Sequence, residues 1–267
     1  LAHYRAIIKA LARLAGTHKS GRLSEDVARH FPFDSGKLAV SERESYTVQQ
    51  IRDRVARYAE FAAQFPQLLP ENIRSAQFIN RLGEEAPRLI AQEFQIHTRL
   101  VSDPNLIALC HWNANIDNAW FIRSGDTLEC GLMDWGHVSQ MNIAMALWGC
   151  LSGAEIELWD NHLAELLGLY ATEFQRAGGP ALDTQQLGTH LVLYATLMGL
   201  NWLLDVPAFL LRKFPDLADF ADRKDQRLSS HEAPRTQLQM MTVFLNRWQR
   251  ENMDSLLREL EAQSGSI

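Results

Sequence analysis

The chain has 267 residues, 46% of them hydrophobic, and a net charge of −6 with histidine counted as neutral. That length allows one large core or two small ones, and the acidic balance implies no broad basic surface, which argues against nucleic acid as a partner. No window of about 18 uncharged apolar residues appears, so no membrane span is expected, and Arg5, Lys9 and Arg13 interrupt the opening segment, so no signal peptide is read there.

Leu1 to Ala15 sets Tyr4, Ile7, Ile8, Leu11 and Leu14 at helical spacing, which predicts an amphipathic helix ending near Gly16. Gly21 to Ser41 is loosely patterned; Ser24 can cap a short helix through His30, stopped by Phe31-Pro32. Thr47-x-x-Gln50 is a capping box opening a helix with Ile51, Val55, Tyr58, Phe61 and Ala62 on one face, ended by Phe65-Pro66. A further helix starts at Pro70 with Ile73, Phe78, Ile79 and Leu82 and closes at Gly83. Another, about Ala86 to Leu100, puts Leu89, Ile90 and Phe94 on one face, leaves Ile96 off it, and ends before Asp103-Pro104.

The stretch from Leu106 to Gly136 breaks the helical pattern. An apolar run, Leu106 to Cys110, leads into a polar loop, His111 to Asn118. Ala119 to Arg123 and Leu128 to Met133 flank the turn signal Ser124-Gly125-Asp126 and read as a β-hairpin. A turn centred on Asp126 sets Asn118 opposite Asp134, where opposed side chains lie about 5 Å apart at Cβ. An amide oxygen and a carboxylate at that separation suit a hard cation such as Mg²⁺, usually completed by waters and substrate phosphates. Read singly, each residue has a plainer role: His111 as a loop histidine, Asn118 as a turn residue, Asp134 as a helix cap.

After this stretch, Asn142 to Leu151 is apolar all round and predicts a buried helix. Glu155 to Arg176 is a long amphipathic helix ended by Gly178-Gly179-Pro180. Thr184 to Leu204 is strongly apolar, with Pro207 breaking it and Phe209 to Phe214 continuing it. Asp222 to Pro234 reads as a charged, exposed loop, and Thr236 to Ala262 as one helix or two. Trp202 and Asp205 could line a pocket for a cationic substrate, with core packing the plainer reading. The cysteines, Cys110, Cys130 and Cys150, lie in apolar runs without a CxxC, which predicts buried reduced thiols in a cytoplasmic protein. His137 has no partner at zinc-ligand spacing, and no G-x-S-x-G supports a serine hydrolase.

His111-x-Asn113-x4-Asn118, a hairpin, then Asp134-Trp135-Gly136 resembles the catalytic core of the aminoglycoside phosphotransferase and choline kinase-like branch of the protein-kinase-like fold. That family reads His-Gly-Asp-x4-Asn, a hairpin, then Asp-Trp or Asp-Phe. The resemblance implies that Asn118 and Asp134 hold the metal on ATP, that His111 braces the loop, and that position 113 meets the substrate hydroxyl. Two departures stand out. Asn113 replaces the family's Asp, and an amide is a poor general base; phosphoryl transfer depends mainly on positioning and charge stabilisation, so a slow reaction can survive. Trp112 replaces the family's Gly. Asp117 lies near in sequence as a possible substitute base.

The first helix looks like the one that follows the interlobe hinge in this family, so the chain is expected to begin after the small lobe. No G-x-G-x-x-G and no Walker motif occurs. The fold expected is mainly α with a small β-hairpin core (α+β), a kinase-like large C-terminal lobe over residues 1–267: a helical region with insertions (1–105), the catalytic loop and hairpin (106–136), and a helical region (137–267). The function implied is ATP- and Mg²⁺-dependent phosphoryl transfer to a small-molecule hydroxyl, impaired by Asn113, with the small lobe or a partner chain supplying what is missing. The alternative is a catalytically inactive kinase-like module, a pseudokinase that binds a metabolite or a protein.

Overall fold

The computed structural model describes residues 1–36 and 46–264; the end of the loosely patterned stretch, 37–41, lies outside them. Helix accounts for 71% of the structure, beside two small two-stranded antiparallel sheets. In chain order the helices before the sheets are α1 (Ala2–Lys19), α2 (Asp26–His30), α3 (Val48–Gln64), α4 (Glu71–Arg74), α5 (Ala76–Ala91) and α6 (Glu93–Ser102). The strands β1 (Ile107–His111), β2 (Ala119–Ser124), β3 (Thr127–Leu132) and β4 (Val138–Asn142) follow. The chain closes with α7 (Ile143–Leu151), α8 (Ile156–Arg176), α9 (Thr184–Trp202), α10 (Val206–Lys213), α11 (Gln226–Ser229), α12 (Glu232–Arg250) and α13 (Met253–Ser264).

The chain divides into two compact units. The first comprises the described residues of Leu1–Glu42, His97–Ser152 and Glu157–Tyr194. Its core joins α1, through Ile7, Ile8, Leu11 and Ala15, to β1, β3 and α7. All nine residues of α7 are buried, as its unbroken apolar text requires. Asn142 caps α7 by accepting from the Ala144 amide, 2.9 Å, and its own amide donates to the Leu100 carbonyl, 2.8 Å. Gly16 does not end α1. A Cβ there would stand 2.4 Å from the Phe174 carbonyl oxygen, so glycine marks a close approach to α8 and the helix runs on to Lys19.

β1 pairs with β4, from Ile107 opposite Asn142 to His111 opposite Val138. This second sheet was not expected. Val138 to Asn142 alternates weakly and follows Asp134-Trp135-Gly136 almost directly, so nothing local marks it as a strand.

The second unit comprises the described residues of Arg43–Ile96, Gly153–Ile156 and Ala195–Ile267. The capping box at Thr47 and Gln50 is formed, and Ile51, Val55, Tyr58, Phe61 and Ala62 are buried along α3. The helix expected to close at Gly83 instead breaks at Ser75, whose hydroxyl caps the Phe78 amide, 3.3 Å, and α5 then passes through Gly83 and Pro87. A second break at Gln92 resets the helical phase. Phe94, expected on the buried face, is 69% exposed, and Ile96, expected off it, is fully buried. Glu85 is buried and accepts from Trp248 Nε1, 2.7 Å, and from Arg81 Nε, 3.2 Å. The Arg81 guanidinium also donates to the carbonyls of Trp248, Gln249 and Glu251, closing the last turn of α12. The expected exposed loop over Asp222 to Pro234 carries α11 with Leu228 buried, and Pro234 sits in the first turns of α12.

Among the described residues, Thr184–Lys213 is long and apolar enough to cross a membrane by length and composition alone. Since 78% of its most apolar window is buried within the protein, it reads as a core helix.

Candidate functional site

β1 is buried along its whole length and delivers His111 at its end with no exposed surface. His111 Nε2 lies 2.7 Å from the Met133 carbonyl oxygen. A carbonyl only accepts, so the ring proton sits on Nε2. The ring also lies 4.6 Å from that of Trp135, tilted by 53°. His111 therefore ties the start of the loop to the backbone just ahead of Asp134.

The loop is held by amides. Asn115 Oδ1 accepts from the amides of Asp117, 2.9 Å, and Asn118, 3.2 Å, closing the short turn Ile116–Asn118. Asn115 Nδ2 donates to Asn113 Oδ1, 3.1 Å, and Asn118 Nδ2 donates to the Asn113 carbonyl, 2.9 Å. Asn113 Nδ2 in turn donates to Asp134 Oδ2 at 2.7 Å. Trp112 accommodates its bulk by turning to Tyr194, whose hydroxyl accepts from the indole at 2.9 Å. Burial raises the Tyr194 pKa, keeping that hydroxyl protonated. Gly149 of α7 lets the Trp112 backbone pass: a Cβ there would fall 1.7 Å from the Trp112 carbonyl oxygen.

The expected register of the hairpin is corrected. β2 and β3 pair from Ala119 opposite Leu132 to Ser124 opposite Thr127. The turn is therefore two residues, Gly125-Asp126, with Gly125 at φ +58°, the type whose first central position favours glycine. Asn118 consequently faces Met133, whose amide donates to the Asn118 carbonyl at 2.9 Å, and not Asp134. A one-residue slip of this kind normally sends side chains to opposite faces. Here Asp134 lies beyond the strand end and adopts φ 58°, ψ 62°, the one non-glycine positive φ among the described residues. That left-handed residue ends the pleat, and Asn113 makes the connection expected of Asn118. The structure thus joins Asn118 and Asp134 through Asn113 and not by direct opposition.

Asp134 Oδ1 and Asn118 Oδ1 make no hydrogen bond among the described residues. A carboxylate oxygen and an amide oxygen are the ligand types a hard cation takes, beside water and phosphate. The set is lean: no group of three or more His, Cys, Asp or Glu side chains is placed to hold a metal among the described residues.

Beside this polar junction lies an open apolar face. Trp120 is 47% exposed and Ile122 53%, two residues apart on one side of β2. Trp120 covers Gly131 directly opposite, where a Cβ would come within 2.1 Å of the indole. Met133 and Trp135, just past the end of β3, are exposed as well. The other side of β2 turns inward, with Phe121 edge-on to His3 of α1 at 4.6 Å.

Of the secondary candidates, Asp205 has its carboxylate occupied. It accepts from the Tyr46 hydroxyl, 2.7 Å, and pairs with Arg54, 3.0 Å, and Arg57, 3.6 Å, which favours packing over capture of a cationic substrate. His137 stands edge-on to Trp112 at 6.0 Å. Cys110 and Cys150 are buried free thiols, with their pKa values pushed up by burial, whereas Cys130 is only partly buried. Asn115 and Gly149 were missed from sequence. The run Asn-Ile-Asp-Asn carries the side-chain turn signal for Asn115; Gly149 has no local signal because its constraint comes from a distant segment. A comparison with models of known protein families matches none, and a comparison with curated proteins finds no relative.

Proposed function

We propose that this chain is the large lobe of a protein-kinase-like phosphotransferase of the aminoglycoside phosphotransferase and choline kinase-like type, acting on a small-molecule hydroxyl. The observation that carries the reading is the convergence of Asn113, Asn118 and Asp134 at one loop–hairpin junction, with His111 bracing it from the end of a buried strand. Asp134 would be the principal ligand of Mg²⁺ on ATP, and Asn118 would add its amide oxygen. Asn113 would meet the acceptor hydroxyl without serving as base. Two supports are independent of sequence motif. A non-glycine residue in the left-handed region persists only where its surroundings over-determine it, and such residues gather at functional sites. The exposed Trp120 and Ile122, on the strand that follows Asn118, offer apolar side chains against which a ligand's ring could pack.

The second reading, a kinase-like module without catalysis that binds a metabolite or a protein, is favoured by one observation. Asn113 presents an N–H donor to Asp134 where the reaction wants a proton acceptor.

The test uses calorimetric titration with Mg-ATP, then ATP consumption across a panel of small alcohols, for the longer protein that includes the small lobe implied by the resemblance and for its Asn113→Asp variant. Binding that Asp134→Ala weakens at least about tenfold is expected, with turnover in the Asn113→Asp protein. If the longer protein carrying Asn113→Asp neither binds Mg-ATP nor consumes it, the phosphotransferase reading is wrong. Binding without turnover in either form selects the inactive module.

A further inference from the structure

We propose that the Asn113 amide takes the place of a shared cation. It bridges the loop to Asp134, so the junction assembles without metal, and an acid at this position would make that assembly depend on a divalent ion.

The orientation of the amide is determined from both ends. Its nitrogen meets the Asp134 carboxylate at 2.7 Å and its oxygen meets the Asn115 amide at 3.1 Å. Turning the amide over would set oxygen against carboxylate and N–H against N–H. The Asn113 backbone carbonyl is also engaged, by Asn118 Nδ2 at 2.9 Å. Asn113 is thus fastened through its side-chain nitrogen, side-chain oxygen and backbone oxygen. Asp134 is left-handed, a conformation that Asp and Asn adopt more readily than other residues with a Cβ but still at some cost, and its contacts offset that cost. The Met133 carbonyl held by His111 secures the chain on one side, and the Asn113 bond secures the side chain on the other.

An Asp at 113 would remove the only donor of this pair. Two ionised carboxylates at hydrogen-bond distance repel, and at a pH well above the carboxylate range, where a shared proton is lost, a cation between them is what holds them together. The amide supplies positive hydrogen where that cation would sit. The same N–H also occupies Asp134 Oδ2, so a bare divalent ion is expected to bind the natural chain weakly.

The inference rests on the proposed reading only for the class of ion, a hard divalent cation. Its test therefore contains no nucleotide, so failed Mg-ATP binding and a failed bridge are separate results. Thermal melting of the full chain is followed in EDTA and in millimolar Mg²⁺ or Mn²⁺. The natural chain should shift by less than about 1 °C between these conditions. Asn113→Asp should melt roughly 5 °C lower in EDTA and recover most of that loss with the cation. The exchanged pair, Asn113→Asp with Asp134→Asn, restores one donor and one acceptor, and Asn tolerates the left-handed backbone. It should melt near the natural chain in EDTA and ignore the cation. If the single variant fails to fold, recovery in the exchanged pair still decides the matter. Three results would each overturn the proposal: Asn113→Asp as stable as the natural chain in EDTA, a loss that neither cation restores, or an exchanged pair no better than the single variant.

Discussion

The two sheets are alike in size and pairing and opposite in surroundings. β1 is buried along its length, with Ile107, Ala108, Leu109, Cys110 and His111 all between 0 and 7% exposed. β2 carries two of the more exposed large side chains, Trp120 and Ile122. A two-stranded hairpin is marginal in water by itself, so each sheet leans on helices. β1 packs against α1 and α7, whereas β2–β3 rests one face on α1 and leaves the other open. The contrast separates two tasks. The buried sheet fixes where the loop starts, through His111, and where α7 starts, through Asn142. The open sheet is flanked by Asn118 before β2 and Asp134 after β3, with Asp134 exposed to water. Stability should therefore respond strongly to changes around β1–β4 and weakly to changes on the open face of β2–β3.

The largest effect should come from Gly149→Ala. The added methyl would overlap the Trp112 backbone, which cannot rotate aside as a side chain would. A net loss of about 3 kcal/mol is expected in denaturant unfolding, well beyond the gain from better helix propensity. A loss below about 1 kcal/mol would mean that the loop is not held against α7.

Next comes pH. His190 is buried and its Nδ1 accepts from Asn142 at 2.9 Å, beside the end of the buried sheet. Burial first, and Arg99 second, lower its pKa from 6.5 to about 4, with Asp103 opposing. The unfolded chain takes up the proton near 6.5 and the folded one only near 4. Stability from this site is therefore complete above 6.5 and is lost progressively down to about 4. The expected loss over that window is about 2–3 kcal/mol. Denaturant midpoints measured across it should slope downward with acid, and His190→Gln should flatten the slope. An unchanged slope in that variant would assign the acid sensitivity elsewhere.

The smallest effect should be Trp120→Ser on the open face. It uncovers Gly131 and loses one cross-strand contact, for about 0.5–1 kcal/mol. A loss above about 2 kcal/mol would show that this face contributes to the core and would erase the contrast between the sheets.

Short-range features were legible in the text. The Thr47–Gln50 box, the apolar stripe of α3, the Asn142 start of a wholly buried α7 and the existence of a hairpin around Gly125 all depend on residues within a few positions of one another. Their energetics are local, so periodicity and turn chemistry reveal them. Helix limits were less legible: Gly16 and Gly83 resemble stops, yet both lie inside helices, Gly16 because a distant backbone needs the space.

The sequence by itself determined the residues of the junction, His111, Asn113, Asn118 and Asp134, and the helical surroundings that hold them. Tertiary structure decided which of them touch. One residue fewer in the turn moved Asn118 opposite Met133, and a left-handed Asp134 returned the carboxylate to the loop through Asn113. The pairing of β1 with β4 and the passage of Trp112 over Gly149 likewise join segments far apart in the chain. Such contacts depend on the three-dimensional path of the backbone, and no nearby residue pattern carries a record of that path.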